Sequence, residues 1–261
     1  MKPSVVRAIY FSPTGTARSG AAAIAKALDE NAEEIDVTVD GKMPDRISFA
    51  KDELIVFGAP VYGGRLYHGV VKRFQQFTGH KTPCIVTVTY GNRDYDDALL
   101  ELKDLAEALG FVPVAAAALI GQHTYGQIQV GRPNEQDIEE DQAFAEKVKA
   151  LLNQDTWSGI QVPGNYPYKE GGQGGKFRPQ TTDACIKCGV CVRECPEGAI
   201  DPEDPAKIDG EKCIACFRCI KKCPIGAKNP DTPEYLAFAE GFTKRLAARK
   251  ENQYFLLEGK A

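Results

Sequence analysis

The first part of the chain alternates between short apolar runs and longer segments of mixed polarity. Five runs are rich in apolar and β-branched residues and are predicted to be strands: Val5–Tyr10, Ile35–Val39, Leu54–Gly58, Cys84–Thr89 and Val112–Ile120. Runs that stay apolar at successive positions are typical of strands covered on both faces. The pattern therefore predicts a parallel sheet buried between two layers.

The segments between these runs repeat apolar residues every three to four positions, which is the period of a helix with one buried face. They predict four covering helices: Thr16–Asp29, Leu66–Phe77, Asp96–Leu109 and Glu135–Leu152. Only the short stretch Gly41–Lys51 separates the second and third strands, so the helix there is expected to be shortened or absent. The fold class predicted for residues 1–152 is α/β, with a doubly wound parallel sheet.

Residues 153–180 are rich in glycine and proline and are predicted to be a linker. Its centre, Gly171–Gly175, could let two domains change their separation. Alternatively, apolar linker residues could hold it against the protein surface: Trp157, Ile160, Tyr166 and Phe177. Residues 181–230 then form a small second domain of the α+β class. A helix predicted over Pro233–Arg249 makes residues 231–261 a C-terminal helical extension.

Eight of the nine cysteines occur in two copies of the pattern Cys-x2-Cys-x2-Cys-x3-Cys-Pro. The copies are Cys185, Cys188, Cys191, Cys195 with Pro196, and Cys213, Cys216, Cys219, Cys223 with Pro224. Thiolates are soft ligands that suit iron, and this run is typical of 4Fe-4S clusters. The segment resembles a bacterial two-cluster ferredoxin, which we expect to be an α+β domain.

In such runs the fourth cysteine binds the other cluster. We therefore expect one 4Fe-4S cluster on Cys185, Cys188, Cys191 and Cys223, and a second on Cys213, Cys216, Cys219 and Cys195. Disulfides are a weaker interpretation, because disulfide frameworks belong to short secreted chains. Zinc sites favour two separated cysteine pairs over a run of three. The ninth cysteine, Cys84, starts a predicted strand and is expected to be a buried thiol.

Composition limits the remaining possibilities. The chain has 261 residues, 43% of them hydrophobic, which is enough for one or two domains with a substantial core. Its net charge is −4, and no part carries the basic surplus of a nucleic-acid binder. No apolar run approaches the length of a membrane span. Because Met1–Phe11 lacks a secretory signal pattern and the thiols need a reducing environment, we expect a cytoplasmic protein.

The loop after the first strand has the composition of a phosphate site. It reads Ser12, Pro13, Thr14, Gly15, Thr16, Ala17 and opens an alanine-rich helix, so backbone N–H groups and short hydroxyls can surround a phosphate. It has neither the lysine of a nucleotide P-loop nor the three glycines of the dinucleotide fingerprint. The domain resembles flavodoxin, which binds FMN phosphate in its first loop. Flavodoxins usually have threonine where Ala17 stands, so one hydroxyl contact is missing or is supplied by Thr16.

Two later loops follow the third and fourth strands, at the sheet edge where open α/β sheets bind ligands. In flavodoxin the corresponding loops flank the isoalloxazine ring. The resemblance assigns this role to Pro60, Val61, Tyr62 and Gly63 in one loop, and to Tyr90, Gly91, Asn92 and Tyr95 in the other. Tyrosine rings there could stack on a flavin, although any one of them alone could equally be a half-buried aromatic residue. His123, after the fifth strand, could reach the flavin or be an ordinary loop histidine.

A flavodoxin joined to a bacterial-type ferredoxin covers nearly the whole chain and implies electron transfer. The clusters would pass single electrons between FMN and an external redox partner protein. No catalytic acid, base or nucleophile is evident. Two alternatives stay open: a flavin-dependent reductase of a quinone, nitro compound or metallocofactor, with His123, Arg65 or Arg93 positioning it, and a ferredoxin whose flavodoxin-like domain docks a partner without flavin.

Overall fold

A mostly parallel sheet forms the centre of the computed structural model, which describes residues 2–153 and 159–257. Its strands are β1 (Val6–Tyr10), β2 (Glu33–Asp36), β4 (Leu54–Tyr62), β5 (Arg65–Leu66), β7 (Thr82–Tyr90), β8 (Phe111–Ile120) and β11 (Gln253–Leu256). The order is β11-β8-β7-β4-β1-β2, with β5 paired to β4. Strands β1, β2, β4, β7 and β8 are parallel, whereas β11 is antiparallel to β8.

Helices cover both faces of this sheet. They are α1 (Thr16–Leu28), α2 (His68–Phe74), α3 (Ala98–Ala108) and α4 (Glu135–Leu152). Ile24 of α1 and Phe144 of α4 pack on one face, and Phe74 of α2 and Leu99 of α3 pack on the other. The expected doubly wound α/β fold is therefore confirmed.

The structure differs from the predicted elements in the connections. Between β2 and β4 the chain forms a 3₁₀ turn, Asp40–Lys42, and the short strand β3 (Ile47–Phe49) in place of a helix. The helix predicted over Leu66–Phe77 is shorter, because β5 takes its first residue and β6 (Phe77–Gly79) its last. Strands β3 and β6 pair in parallel as a small separate sheet.

The second half is smaller and more irregular. It contains β9 (Gln180–Thr181), α5 (Val190–Arg193), α6 (Arg218–Lys221), β10 (Lys228–Asn229) and α7 (Pro233–Arg245). Strands β9 and β10 are antiparallel, as expected for a small α+β unit. Helix α7 begins after Thr232, whose hydroxyl accepts a hydrogen bond from Tyr235 N, and it ends four residues before the predicted Arg249. Among the described residues, no helix has the length and apolarity that crossing a membrane requires.

The linker packs against the rest of the protein. Ile160 and Phe177 are buried, whereas Tyr166 is 81% exposed. Trp157 lies outside the described residues. At the glycine-rich centre, Gly172 N donates to Tyr62 O at 3.0 Å and Gly175 N donates to Ile214 O at 3.1 Å. These bonds, with the burial of Ile160 and Phe177, hold the described part of the linker against both halves.

Candidate functional site

A pocket of about 360 Å³ lies at the carboxyl ends of β1, β4, β7 and β8. The five parallel strands have the spatial order 2-1-3-4-5, and in this topology ligands bind where the order reverses beside the first strand. Eight predicted flavin residues line the pocket: Thr14, Thr16, Pro60, Val61, Tyr62, Gly63, Tyr90 and Gly91. Most of the residues predicted from loop positions therefore lie together around this pocket.

The loop between β1 and α1 can accept an anion. Gly15 is the N-cap of α1 with φ of 90°, a left-handed conformation that favours glycine, and it has no side chain to bond the first N–H groups of the helix. The first N–H groups of the helix, at Thr16 and Ala17, have no carbonyl one turn earlier to bond. The Thr14 and Thr16 hydroxyl oxygens lie 3.5 Å apart beside them. Together these groups form the kind of helix terminus that binds phosphate.

Three predicted loop residues shape this site without lining the pocket. The Ser12 hydroxyl accepts a hydrogen bond from Arg18 N at 2.9 Å, and Ser12 N donates to the Thr38 hydroxyl at 2.8 Å. Gly15 sets the turn, and the Ala17 side chain is buried in the core. Ala17 therefore offers only its backbone N–H, as the missing threonine hydroxyl implied.

The structure places the predicted residues Asn92 and Tyr95 away from the lining. The Asn92 amide donates to Leu246 O at 2.8 Å and Ala248 O at 2.7 Å. The Tyr95 hydroxyl donates to Gln253 at 2.7 Å. Both residues instead fasten the segment that leads into β11. Sequence reasoning missed that segment, because a four-residue edge strand gains its identity from pairing with β8.

The sequence reasoning also missed part of the pocket wall. Further lining residues come from the ends of β7 and β8, the linker and the cysteine-rich segment: Thr89, Gly121, Gln122, Thr124, Tyr125, Gly172, Gln173, Gly174, Gly175 and Ala215. His123, which the sequence had already suggested, lines the same wall. The loop after β8 lies at the same sheet edge as the others, so strand order gave a usable signal for it. The linker and Ala215 reach the pocket only through tertiary packing, which no local pattern reveals.

The chemistry of the lining fits FMN. Of the described residues that line the pocket, none is Asp, Glu, Lys or Arg, while aromatic rings, hydroxyls and glycines predominate. Within residues 2–153 and 159–257, the Thr89 hydroxyl is buried without a hydrogen-bond partner. A buried unpaired hydroxyl favours a ligand that carries polar atoms. An uncharged pocket of this size suits a planar aromatic ligand with a hydrogen-bonding edge.

His123 lines the pocket in a defined protonation state. Burial lowers its pKa to about 4, so the ring is neutral near pH 7. Tyr125 N donates to His123 Nδ1 at 2.8 Å, which leaves the proton of the neutral ring on Nε2. The two arginines considered beside it serve elsewhere: Arg65 pairs with Glu101 at 2.8 Å, and Arg93 pairs with Asp96.

The eight motif cysteines line two small cavities. Each cavity is lined by one of the two predicted sets of four cysteines. Cys185, Cys188, Cys191 and Cys223 line one cavity, which we call the outer cavity. Cys195, Cys213, Cys216 and Cys219 line the other, the inner cavity. Four cysteines line each cavity. In the described ranges, no group of three or more His, Cys, Asp or Glu side chains is arranged to hold a single metal ion.

The cysteine surroundings suit cluster ligation. All nine thiols are free, and Cys84 is buried in the core of the sheet, as expected. Ala199 N donates to Cys195 Sγ at 3.3 Å, and Ala227 N donates to Cys223 Sγ at 3.2 Å. Hydrogen bonds of this kind stabilise a ligating thiolate. Burial raises the pKa of Cys219 to about 12, so iron binding would have to displace its proton.

The inner cavity adjoins the pocket. Ile214 and Cys216 belong to the core of the first domain, and Ala215 between them lines the pocket. The Tyr125 hydroxyl donates to Ala215 O at 3.0 Å. Burial, followed by the neighbouring Cys216, raises the pKa of Tyr62 well above its ordinary value. One stretch of four residues, 213–216, therefore contributes to both the pocket wall and the inner cavity.

Two buried arginines join the two halves. Arg218 Nη1 donates to Pro13 O, in the loop after β1, at 3.0 Å, and its guanidinium pairs with Glu194. Arg73 of α2 donates to Pro196 O at 2.8 Å and pairs with Glu197 at 2.9 Å. Because both guanidinium groups are buried and charge-paired, these contacts hold the cysteine-rich segment against the loop that begins α1.

Parts of the chain are similar to known proteins. Residues 184–227 match the family model of a 4Fe-4S dicluster domain. An archaeal flavodoxin is 12% identical, with 57% of this chain and 99% of that chain covered and a TM-score of 0.42. Flavodoxin 1 from Bacillus cereus is 16% identical, covering 57% and 100% with a TM-score of 0.40. A flavodoxin, WrbA-like protein from Agrobacterium tumefaciens is 17% identical, covering 59% and 99% with a TM-score of 0.39.

The first half is assigned from its strand order, and the second half is assigned from its match to the family model. The parallel order 2-1-3-4-5 is the flavodoxin-like form of the doubly wound sheet. The resemblance stated from the sequence is therefore confirmed: the chain joins a flavodoxin-like α/β sheet to a 4Fe-4S dicluster domain.

Proposed function

We propose that this chain is an electron-transfer protein that links FMN, two 4Fe-4S clusters and an external redox partner protein. The observation that supports this most strongly is the shared wall at residues 213–216, between the pocket and the inner cavity. Redox groups bound in the pocket and in the inner cavity would be separated by this one stretch of loop, which would favour electron exchange between them. We propose residues 1–152 as the flavin unit, 181–230 as the cluster unit, 153–180 as the linker and 231–261 as the C-terminal extension.

We propose a place for each group from the chemistry of the residues present. The FMN phosphate would contact the backbone and hydroxyls of Thr14–Ala17, and the ring would lie among Pro60–Gly63, Tyr90 and Gly91. The outer and inner cavities would each hold one 4Fe-4S cluster. When bound, FMN supplies a two-electron centre and the clusters supply one-electron centres.

The protein's own part is to position these groups and exclude water. Tyr125 packs edge-on against Phe177, with ring centroids 5.5 Å apart, and also contacts Phe217 at 5.0 Å. This aromatic cluster lies where the linker and the cysteine-rich segment meet the pocket. It keeps bulk water from the boundary between the pocket and the inner cavity, which favours electron exchange within the chain over loss to solvent.

A flavin-dependent reductase is the second candidate, favoured by one observation. His123 lines the pocket as a neutral ring with its proton on Nε2, so it could donate a hydrogen bond to a bound quinone or nitro compound. Sustained reduction of such a compound by the loaded protein would support this reading. Neither Arg65 nor Arg93 lines the pocket, so His123 is the one predicted positioning residue that does.

The nine free thiols suit a reducing compartment, and we propose a cytoplasmic location on that ground. The test of the proposed function is anaerobic purification followed by assay of iron, acid-labile sulfide and released FMN per chain. About eight irons with one FMN support the relay. About eight irons with no FMN binding, even after FMN is added, would instead support a ferredoxin with a flavin-free docking domain. Fewer than about four irons would contradict both readings.

A further inference from the structure

The outer cavity opens on a patch of exposed apolar surface. Ile186 is 66% exposed and Ile225 is 44% exposed, and both line the cavity together with its four cysteines. Cys188 is itself exposed. Large aliphatic side chains held in solvent beside a functional cavity are typical of a surface that another protein covers.

Four basic residues lie on the two chain segments that carry this patch. Lys187 lines the cavity, Arg193 Nη1 donates to Cys188 O at 3.3 Å, and Lys221 and Lys222 immediately precede Cys223. All four side chains are exposed. In the part of the chain that the structure describes, none of the four lies within 4.0 Å of a carboxylate oxygen. These residues therefore present unpaired positive charge.

Residues 1–152 hold 21 acidic and 16 basic side chains, but in the ranges that the structure describes this acidic first domain does not pair with the four basic residues. The two halves meet through Arg73 and Arg218, whose guanidinium groups are buried and paired with Glu197 and Glu194. Lys228, another basic residue of the segment, is buried and donates to the Thr181 hydroxyl at 2.6 Å. The positive charge left on the surface of the segment near the outer cavity is thus available to a separate molecule.

We propose that an acidic one-electron carrier protein docks on this surface, which we call the port surface: Ile186, Lys187, Arg193, Lys221, Lys222 and Ile225. The proposal rests on the proposed electron-transfer function. A small apolar centre with a charged rim suits a transient redox encounter, in which complementary charge sets the association rate. With a 4Fe-4S cluster in the outer cavity, the reduced carrier would give one electron to that cluster, so the carrier would be oxidised and the cluster reduced by one electron, with no bond made or broken.

The test measures binding first, with the protein loaded with clusters and oxidised. The probe is a small 2Fe-2S ferredoxin of strongly negative net charge, and cytochrome c, which is basic, is the mismatched probe. The variant is Lys187→Glu, Lys221→Glu, Lys222→Glu. The matched control, with the same change in charge, is Lys2→Glu, Lys51→Glu, Lys147→Glu, at exposed lysines of the first domain. Iron content is checked in every preparation.

At low ionic strength we expect the port variant to bind the acidic probe about tenfold more weakly than the wild type, and the control to bind within about twofold. The difference should shrink at high ionic strength, because salt screens exposed charges. Ile186→Ala, Ile225→Ala should weaken binding at both salt concentrations. The rate of cluster reduction by the reduced probe should follow the same order.

Equal affinity of wild type and port variant, or equal losses in port and control variants, would overturn the proposal. Cytochrome c binding as tightly as the acidic probe would overturn it as well. Because binding is measured without turnover on protein whose iron content is known, these outcomes are distinguishable from failure of the proposed function, which would show as missing iron or FMN.

Discussion

The two cysteine cavities begin with the same motif and end in different environments. Ile186 and Ile214 occupy equivalent positions after the first cysteine of each run, yet Ile186 is 66% exposed and Ile214 is 6% exposed. The backbone of the two runs is similar, since the next residues, Lys187 and Ala215, have φ of 53° and 52°. The difference therefore comes from side chains and from what packs on them. Cysteine spacing therefore sets the chemistry of each cavity, and the side chains packed around the cavity decide whether it is exposed or buried.

Three side-chain differences turn the second run inward. Ala215 stands where the first run has Lys187, and its small side chain fits the pocket wall. Phe217 stands where the first run has Gly189, with φ of 60° and 72° respectively. A phenylalanine in this conformation is strained, and packing against Tyr125 and the C-terminal helix offsets the cost. Arg218, in the place of Val190, ties the second run to the loop after β1.

Replacing one cysteine in each cavity should give the largest difference between the two cavities. Cys188→Ser and Cys216→Ser should each lose one cluster, or about four irons per chain. Only Cys216→Ser should also weaken FMN binding, because Cys216 packs in the core beside Tyr62. Iron analysis and FMN titration measure both effects, with Cys84→Ala as a variant that should keep all its iron. Equal FMN affinity in the two serine variants would contradict the inner and outer assignment.

Arg218→Met tests what holds the inner cavity against the first domain. It removes the bond to Pro13 O and leaves the Glu194 carboxylate without its closest partner. We expect the free energy of unfolding to fall by about 3 kcal/mol, because the buried Arg218 loses charged hydrogen bonds both to Pro13 O and to the part-buried Glu194 carboxylate. FMN affinity should fall with it. Denaturant unfolding and FMN titration measure both effects, and Lys212→Met, at an exposed lysine nearby, is the control. A free energy of unfolding and an FMN affinity that are similar in the two variants would contradict this role of Arg218.

The linker contact at Gly175 gives a smaller effect. A Cβ there would lie 1.9 Å from the Tyr125 hydroxyl oxygen, so Gly175→Ala must displace Tyr125 or the linker. We expect a loss of stability of about 2 kcal/mol and weaker FMN binding. At Gly210 a Cβ would meet nothing closer than 3.9 Å, so Gly210→Ala is the matched control. Unchanged FMN affinity in Gly175→Ala would show that the linker does not shape the pocket.

The smallest expected effect is on the pH dependence of the free energy of unfolding, and it arises at a residue away from both cavities. Asp141 is buried against the C-terminal strand, accepts a hydrogen bond from the Tyr254 hydroxyl at 2.9 Å, and has a pKa that burial raises to about 7. The folded state therefore keeps a proton that the unfolded chain has already lost, so stability falls as pH rises between about 4 and 7. Between pH 6 and pH 8 the loss should be about 1 kcal/mol.

Asp141→Asn should not show this loss, whereas Glu139→Gln, on an exposed position of the same helix, should behave as the wild type. Thermal unfolding at the two pH values measures it. Iron content and FMN affinity should stay unchanged in both variants, which separates a general change in stability from an effect on either cavity. Stability that rises from pH 6 to pH 8 in the wild type would contradict the assignment to Asp141.

The sequence predicted the sheet, its covering helices and the two sets of cysteines because each leaves a local pattern. Apolar runs indicate buried strands, and cysteine spacing indicates cluster ligands. The strand β11, the contact of Ala215 with the pocket and the inward placement of Ile214 depend on which surfaces meet. Identical residues, such as Ile186 and Ile214, then receive different environments that no local pattern distinguishes.

Electron exchange between the clusters and FMN within one chain can be followed directly. The measurement is anaerobic rapid mixing of the loaded, oxidised protein with less than one equivalent of a one-electron reductant, while cluster and flavin absorbance are followed separately. We expect cluster absorbance to fall first and to recover as flavin absorbance falls, at a rate independent of protein concentration. A flavin phase whose rate rises in proportion to protein concentration would show exchange between molecules and would rule out the proposed exchange within one chain.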